Sequence, residues 1–157
     1  MKKLIFSIFF IAILCKTTSA QDYQTAFGGR LGTSNGFTVK HFISKNAALE
    51  GLITARWNGF MIIGLYEICN PIREIKGLYW FYGFGAHGGS WNDNYKKDRK
   101  ENSLAIGLDG IIGLEYNFYN LPISVGLDYK PGINFSGSPF GMIDEIGVSF
   151  RYTLGYR

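Results

Sequence analysis

The chain has 157 residues, with 16 Lys and Arg against 12 Asp and Glu, 21 glycines and 17% aromatic residues. Three of the basic residues, Lys2, Lys3 and Lys16, fall within the first twenty positions, and without them the charges nearly cancel, so nothing favours a nucleic-acid partner. Glycine and aromatic richness suits strands and tight turns, and Cys69, the one cysteine beyond Cys15, excludes an intrachain disulfide in the remainder.

In chain order, "MKKLIFSIFFIAILCKTTSAQ" has a basic head, an apolar run and a small-residue exit. That is the pattern of a secretory signal peptide cut near Ala20–Gln21. The apolar run is shorter than the roughly 20 residues a membrane helix needs. Lipidation at Cys15 is disfavoured because bulky Leu14 precedes it. Residues 1–20 are therefore read as a leader and 21–157 as one domain.

From residue 21 onward, period-two alternation broken at short intervals predicts eight strands. The first runs over 23–33 and ends at the turn "SNG". The second is "FTVKHFI", closed by "SKN", and the third covers 47–57. That third segment, "NAALEGLITARW", also has helix propensity, but its hairpin-spaced neighbours favour a strand. Asn58-Gly59 is a strong hairpin dipeptide. The fourth strand covers 60–70, before Pro71, and the fifth 78–87. Residues 88–104 are expected to form the longest loop. The sixth strand covers 104–116 and the seventh 123–131, with "GINFSGSPFG" as a second long loop. The eighth covers 142–156. Eight is an even number, as in single-chain bacterial outer-membrane barrels.

The two faces of these strands differ sharply. Ile123, Val125, Leu127 and Tyr129 oppose Ser124, Gly126, Asp128 and Lys130, and the last strand repeats the pattern. Parity places Arg30, Lys40, Glu50, Arg56, Glu67, Asp109, Glu115, Asp128, Lys130, Glu145 and Arg151 on the polar face. Most strand glycines share it. A narrow barrel filled by its own side chains needs small residues beside long ones, and buried charges need partners of opposite sign. Both requirements favour polar-inside, a transmembrane barrel, over an apolar-inside lipocalin-like carrier. Trp57, Phe60, Trp91, Phe135 and Phe140 are expected to mark one aromatic rim. Tyr79, Trp80, Tyr116, Phe118, Tyr119 and Tyr156 are expected to mark the other.

Segments such as "RWNGFMIIGLYEICNP", "GLYWFYGFGAHGG", "IGLDGIIGLEYNF" and "LPISVGLDYKP" give the mature chain a resemblance. It resembles the small OmpA/OmpX-like outer-membrane β-barrels, in particular short "outer membrane protein beta-barrel domain" members without an assigned reaction. The resemblance implies an all-β, eight-stranded antiparallel up-and-down barrel in the outer membrane of a Gram-negative cell, exported by the Sec route. It further implies contact with outer-membrane lipid and lipopolysaccharide, and insertion by the assembly machinery through the last strand, "VSFRYTLGYR". A monomer without cofactor is expected.

His87 and Ser90 are the candidate catalytic residues, because similar barrels that deacylate lipid A carry a His-Ser pair. Here the spacing differs, since the related arrangement has serine two residues after histidine. Residues two apart share a strand face and residues three apart do not. The simpler reading is a lumen histidine bonded to a carboxylate. His41 is expected on the apolar face near a rim, and Cys69 as a packing residue. Two histidines and a cysteine offer no metal-ligand spacing. The expected function is a non-enzymatic structural, adhesion or envelope-integrity barrel. The alternatives are a lipid A hydrolase using His87 and Ser90, or a periplasmic carrier.

Overall fold

The computed structural model describes residues 23–56, 59–92, 102–136 and 141–155, and at 56, 91–92, 102–103 and 141 the backbone alone. Eight strands follow one another: β1 (Thr25–Gly32), β2 (Asn35–Phe42), β3 (Ala47–Arg56), β4 (Gly59–Pro71), β5 (Leu78–Asn92), β6 (Asn102–Asn117), β7 (Ile123–Ser136) and β8 (Gly141–Leu154). Each pairs antiparallel with its sequence neighbour, and β1 closes onto β8. Closure leaves no unpaired edge.

The stagger of the barrel can be read from its pairing. The paired path Gly28, Thr38, Leu52, Ile63, His87, Gly107, Asn134, Gly141 visits every strand once. Gly141 lies six residues beyond Gly147, the partner of Gly32, which is itself four beyond Gly28. The resulting stagger of about ten residues over eight strands tilts them by about 40°.

Alternation decides what points where. On β7, Ser124, Gly126, Asp128, Lys130, Gly132 and Asn134 are all buried. Their neighbours Leu127, Tyr129, Ile133 and Phe135 are exposed. The outward faces of the other strands carry Phe27, Val39, Ile53, Ile62, Phe84, Ile112 and Phe150. The molecule is thus inverted relative to a water-soluble domain. Its apolar side chains form the outer wall, and Arg30, Lys40 and Glu67 have no exposed surface at all.

The interior also holds apolar side chains. Leu52, Met61, Ile63, Leu65, Cys69, Phe81 and Ile111 cluster in the lumen on the β3–β6 side. β4 is apolar on both faces, a pattern that alternation alone does not resolve. Inward glycines admit the bulk of opposing residues. A Cβ on Gly113 would come within 2.5 Å of the Phe81 ring, and one on Gly147 within 2.5 Å of the Arg30 guanidinium carbon.

Several strand ends differ from the sequence expectation. β5 continues past His87 through Gly88, Gly89 and Ser90 to Asn92, and β6 begins at Asn102, so both ends of the expected loop 88–104 are strand; residues 93–101 lie outside the described residues. β7 runs through Pro131 and "GINFS" to Ser136. Glycine suggested loop there, but inside a narrow barrel it supplies space. Pro131 is tolerated where the β6–β7 pairing passes from Asp109↔Gly132 to Ile112↔Tyr129, since a proline has no amide to donate. The segment "AALEGLITAR" is strand β3 over its whole length.

The end carrying both termini has short connections. Gly77 closes the β4–β5 turn at φ 85°, a left-handed conformation that a glycine adopts without strain. The opposite end begins with the tight β1–β2 hairpin, where the Gly32 amide donates to Asn35 Oδ1 at 3.1 Å.

Candidate functional site

The lumen charges sort into two layers. Nearer the termini, Lys40 on β2 places Nζ 2.8 Å from Glu67 Oε2 and 3.0 Å from Glu115 Oε2. Arg151 on β8 reaches Glu50 Oε1 at 2.5 Å and Glu115 Oε2 at 3.2 Å. The Tyr23 hydroxyl donates to Glu115, and the Thr38 hydroxyl to Glu50. Lys40 also sits 4.4 Å from the centre of the Phe81 ring, a cation–π contact strengthened by the burial of both side chains.

Nearer the longer hairpins, Arg30 on β1 contacts Asp128 Oδ1 at 2.5 Å and Glu145 Oε2 at 3.4 Å. Lys130 on β7 bridges Glu145 at 3.1 Å and Asp109 at 3.4 Å. Ser34 accepts from Arg30 at 3.1 Å and donates to Glu145 at 3.0 Å. His87 completes the layer, with Nδ1 2.8 Å from Asp109 Oδ2 and Nε2 2.5 Å from Asn134 Oδ1.

Three of the four lumen cations with described side chains reach past their neighbouring strands. Arg30 on β1 meets Asp128 on β7, Lys40 on β2 meets Glu115 on β6, and Arg151 on β8 meets Glu50 on β3. These three cations therefore tie together walls that share no backbone hydrogen bonds, whereas Lys130 on β7 links the adjacent β6 and β8. Charges removed from water are tolerated only with close opposite partners, and the strand register supplies them.

Of the eleven charged residues expected on this face, ten have described side chains, and all ten are buried. The side chain of Arg56 lies outside the described residues. Tyr23, Ser34, Thr38 and Asn134 complete the layers and were absent from the sequence expectation. Strand parity with the charged residues was the available signal for Thr38 and Asn134.

Among the aromatic rim residues, Phe60, Trp80, Phe118 and Tyr119 are exposed. Tyr116 packs edge-on against Phe118 with centroids 4.9 Å apart. Tyr79 departs from the expected rim. It lies on the Phe81 side of β5, half-buried between Pro71 and Glu115, because alternation from Trp80 turns it inward. Trp57, Phe140 and Tyr156, and the Trp91 side chain, lie outside the described residues. His41 is exposed on β2, with Nδ1 2.8 Å from Thr25 Oγ1.

His87 and Ser90 are not brought together. β5 stays extended through Gly88 and Gly89, so His87 faces the lumen. Ser90 lies on the outward face between its partners Phe60 and Leu104. Both ring nitrogens of His87 are already engaged. The arrangement holds a histidine but, among the described residues, brings no nucleophile into hydrogen-bond contact with it, and nucleophilic catalysis needs that contact. Among the described residues no group of three or more His, Cys, Asp or Glu side chains could hold a metal ion. A shallow apolar depression lined by Trp80, Ile112, Leu114, Leu127, Tyr129 and Ile146 lies on the outer wall.

An eight-stranded, closed, antiparallel barrel with an apolar exterior and an ionic lumen is the fold that these observations define. The chain is similar to the N-terminal β-barrel domain of OprF from Pseudomonas aeruginosa. The TM-score is 0.62 at 13% identity, over 85% of this chain and 99% of that one. It is also similar to Neisserial surface protein A (NspA), with TM-score 0.58 at 11% identity, over 83% of this chain and 93% of that one. No family model and no curated protein matches the sequence.

Proposed function

We propose that the protein is an integral outer-membrane barrel without catalytic activity, whose role is structural or exerted through the loops at its taller end. The observation that carries this reading is the inversion of polarity. A continuous apolar wall surrounds a lumen in which ten charged side chains are buried and cross-linked. Water outside would leave that wall unsatisfied, whereas hydrocarbon would meet it at no expense. The packed lumen argues against a conducting pore, and the separation of His87 from Ser90 argues against a hydrolase. Similarity in fold to the OprF barrel and NspA supports the same reading. The termini then face the periplasm and the longer hairpins the exterior.

The test is fractionation of cells expressing the full chain, combined with gel mobility before and after boiling. The protein is expected in the outer-membrane fraction, with a folded form that migrates differently from the boiled one. Recovery in the soluble periplasmic fraction would contradict the proposal.

A further inference from the structure

The barrel is far from equally tall around its circumference. With strands tilted by about 40°, each residue climbs about 2.5 Å along the axis and each step to the next strand about 3 Å. On that scale the lower ends Thr25, Phe42, Ala47, Pro71, Leu78, Asn117, Ile123 and Leu154 share one level to within about 5 Å. The upper ends do not. Relative to Gly28, Gly32 and Asn35 end about 10 Å up, while Asn92 and Asn102 reach about 24–27 Å. β1 and β2 have only 8 residues each, against 15 and 16 in β5 and β6. A membrane-spanning strand normally needs about 9–11 residues.

The outward side chains follow this slope. Within β1 and β2 the exposed apolar residues run from Phe27 and Val39 to Leu31, with His41 and Thr25 below and Thr33 and Asn35 above, and Ile43 in the turn under β2 is exposed as well. From Ile43 to Leu31 that is about 17 Å of backbone. On β6 they run from Leu104 to Leu114 and on to the half-buried Tyr116, which is about 29 Å. Polar residues on the outer face climb in the same order. Asn35 lies at about 10 Å, Asp144 on β8 at about 14 Å and Ser90 on β5 at about 19 Å. Asp144 is the one carboxylate on the outward face of a described strand, held by the Tyr129 hydroxyl at 2.9 Å. A flat apolar boundary drawn to the height of Leu104 would submerge it, whereas the sloping one leaves it near the edge, with Met142 one outward position above it on β8.

We infer that the β1–β2 wall is a lipid-contact surface that thins the bilayer, drawing the outer hydrocarbon boundary down by about 10 Å relative to the β5–β7 wall. The occupants are acyl chains that are tilted or compressed against Phe27, Leu31, Phe37 and Val39. This inference rests on the membrane reading proposed above. It adds where the membrane is deformed, and in which leaflet.

The experiment is depth measurement by spin label. The mature chain carrying Cys69→Ala is refolded into dioleoylphosphatidylcholine vesicles, with single cysteines labelled at Leu31, Phe135, Leu49 or Leu114. Phe37 and Ile133 serve as substitutes where a label blocks folding. Collision with oxygen against a water-soluble relaxant gives the depth. Thinning is expected to place Leu31 and Phe135 at the same shallow depth, although they differ by about 13 Å in barrel height. Leu49 and Leu114, near the lower rim, should also agree. A flat membrane would put Leu31 well below Phe135 and overturn the inference. A rigid tilt would separate Leu49 from Leu114 and overturn it equally. Labels that are all water-exposed, with no heat-modifiable form, would instead sink the membrane proposal itself.

Discussion

Gly147 and Gly64 are both strand glycines, and they serve opposite needs. Gly147 faces inward against the Arg30 guanidinium, whereas a Cβ on Gly64 would meet nothing within 4 Å. Gly147→Val is expected to lower unfolding stability by about 1–3 kcal/mol through overpacking, while Gly64→Val stays within about 0.5 kcal/mol. Urea unfolding in detergent micelles measures both. Arg151→Met is a harsher change, because it leaves Glu50 and Glu115 without their guanidinium partner. A loss of about 3–5 kcal/mol is expected by the same measurement. Adding Glu50→Gln should recover part of it, since one orphaned charge is then removed. Which residues face inward was legible from parity. Which charge meets which was not, because several of the pairs, such as Arg151 with Glu50, join strands distant in sequence.

At the scale of elements, strand number and order were readable because hydrophobic alternation and turn residues recur along the whole chain. Strand length was less so. Gly88, Gly89 and Gly132 read locally as loop, yet they lie in β5 and β7, where neighbouring strands supply the hydrogen bonds. The mixed lumen was hidden for a related reason, since Met61, Ile63 and Leu65 alternate with the equally apolar Phe60 and Ile62. The height of each strand sets how deep an outward residue lies. Ile112→Arg, in the middle of the tall wall, is expected to cost about 2–4 kcal/mol, and Leu31→Arg, at the top of the short wall, only about 0–1. Unfolding titrations in phospholipid vesicles distinguish the two. On β5, Ser90→Ala is expected to leave the acyl composition of lipopolysaccharide unchanged, as read by mass spectrometry of lipid A from cells carrying the variant. Loss of acyl release would revive the hydrolase.

For the whole molecule, polarity is arranged from outside to inside as an apolar wall, the backbone ladder, and a lumen of ion pairs beside packed apolar side chains. Neither layer of charges could persist without the closed sheet, and the closed sheet has too small a lumen to remain open around them. The most direct measurement of this arrangement is paramagnetic broadening of NMR signals by a fatty-acid nitroxide in lipid nanodiscs. Ile112, Leu127 and Phe150 should broaden strongly, while Leu52, Ile63 and Phe81 should be spared. Broadening of the second group with sparing of the first would contradict an exterior made for lipid.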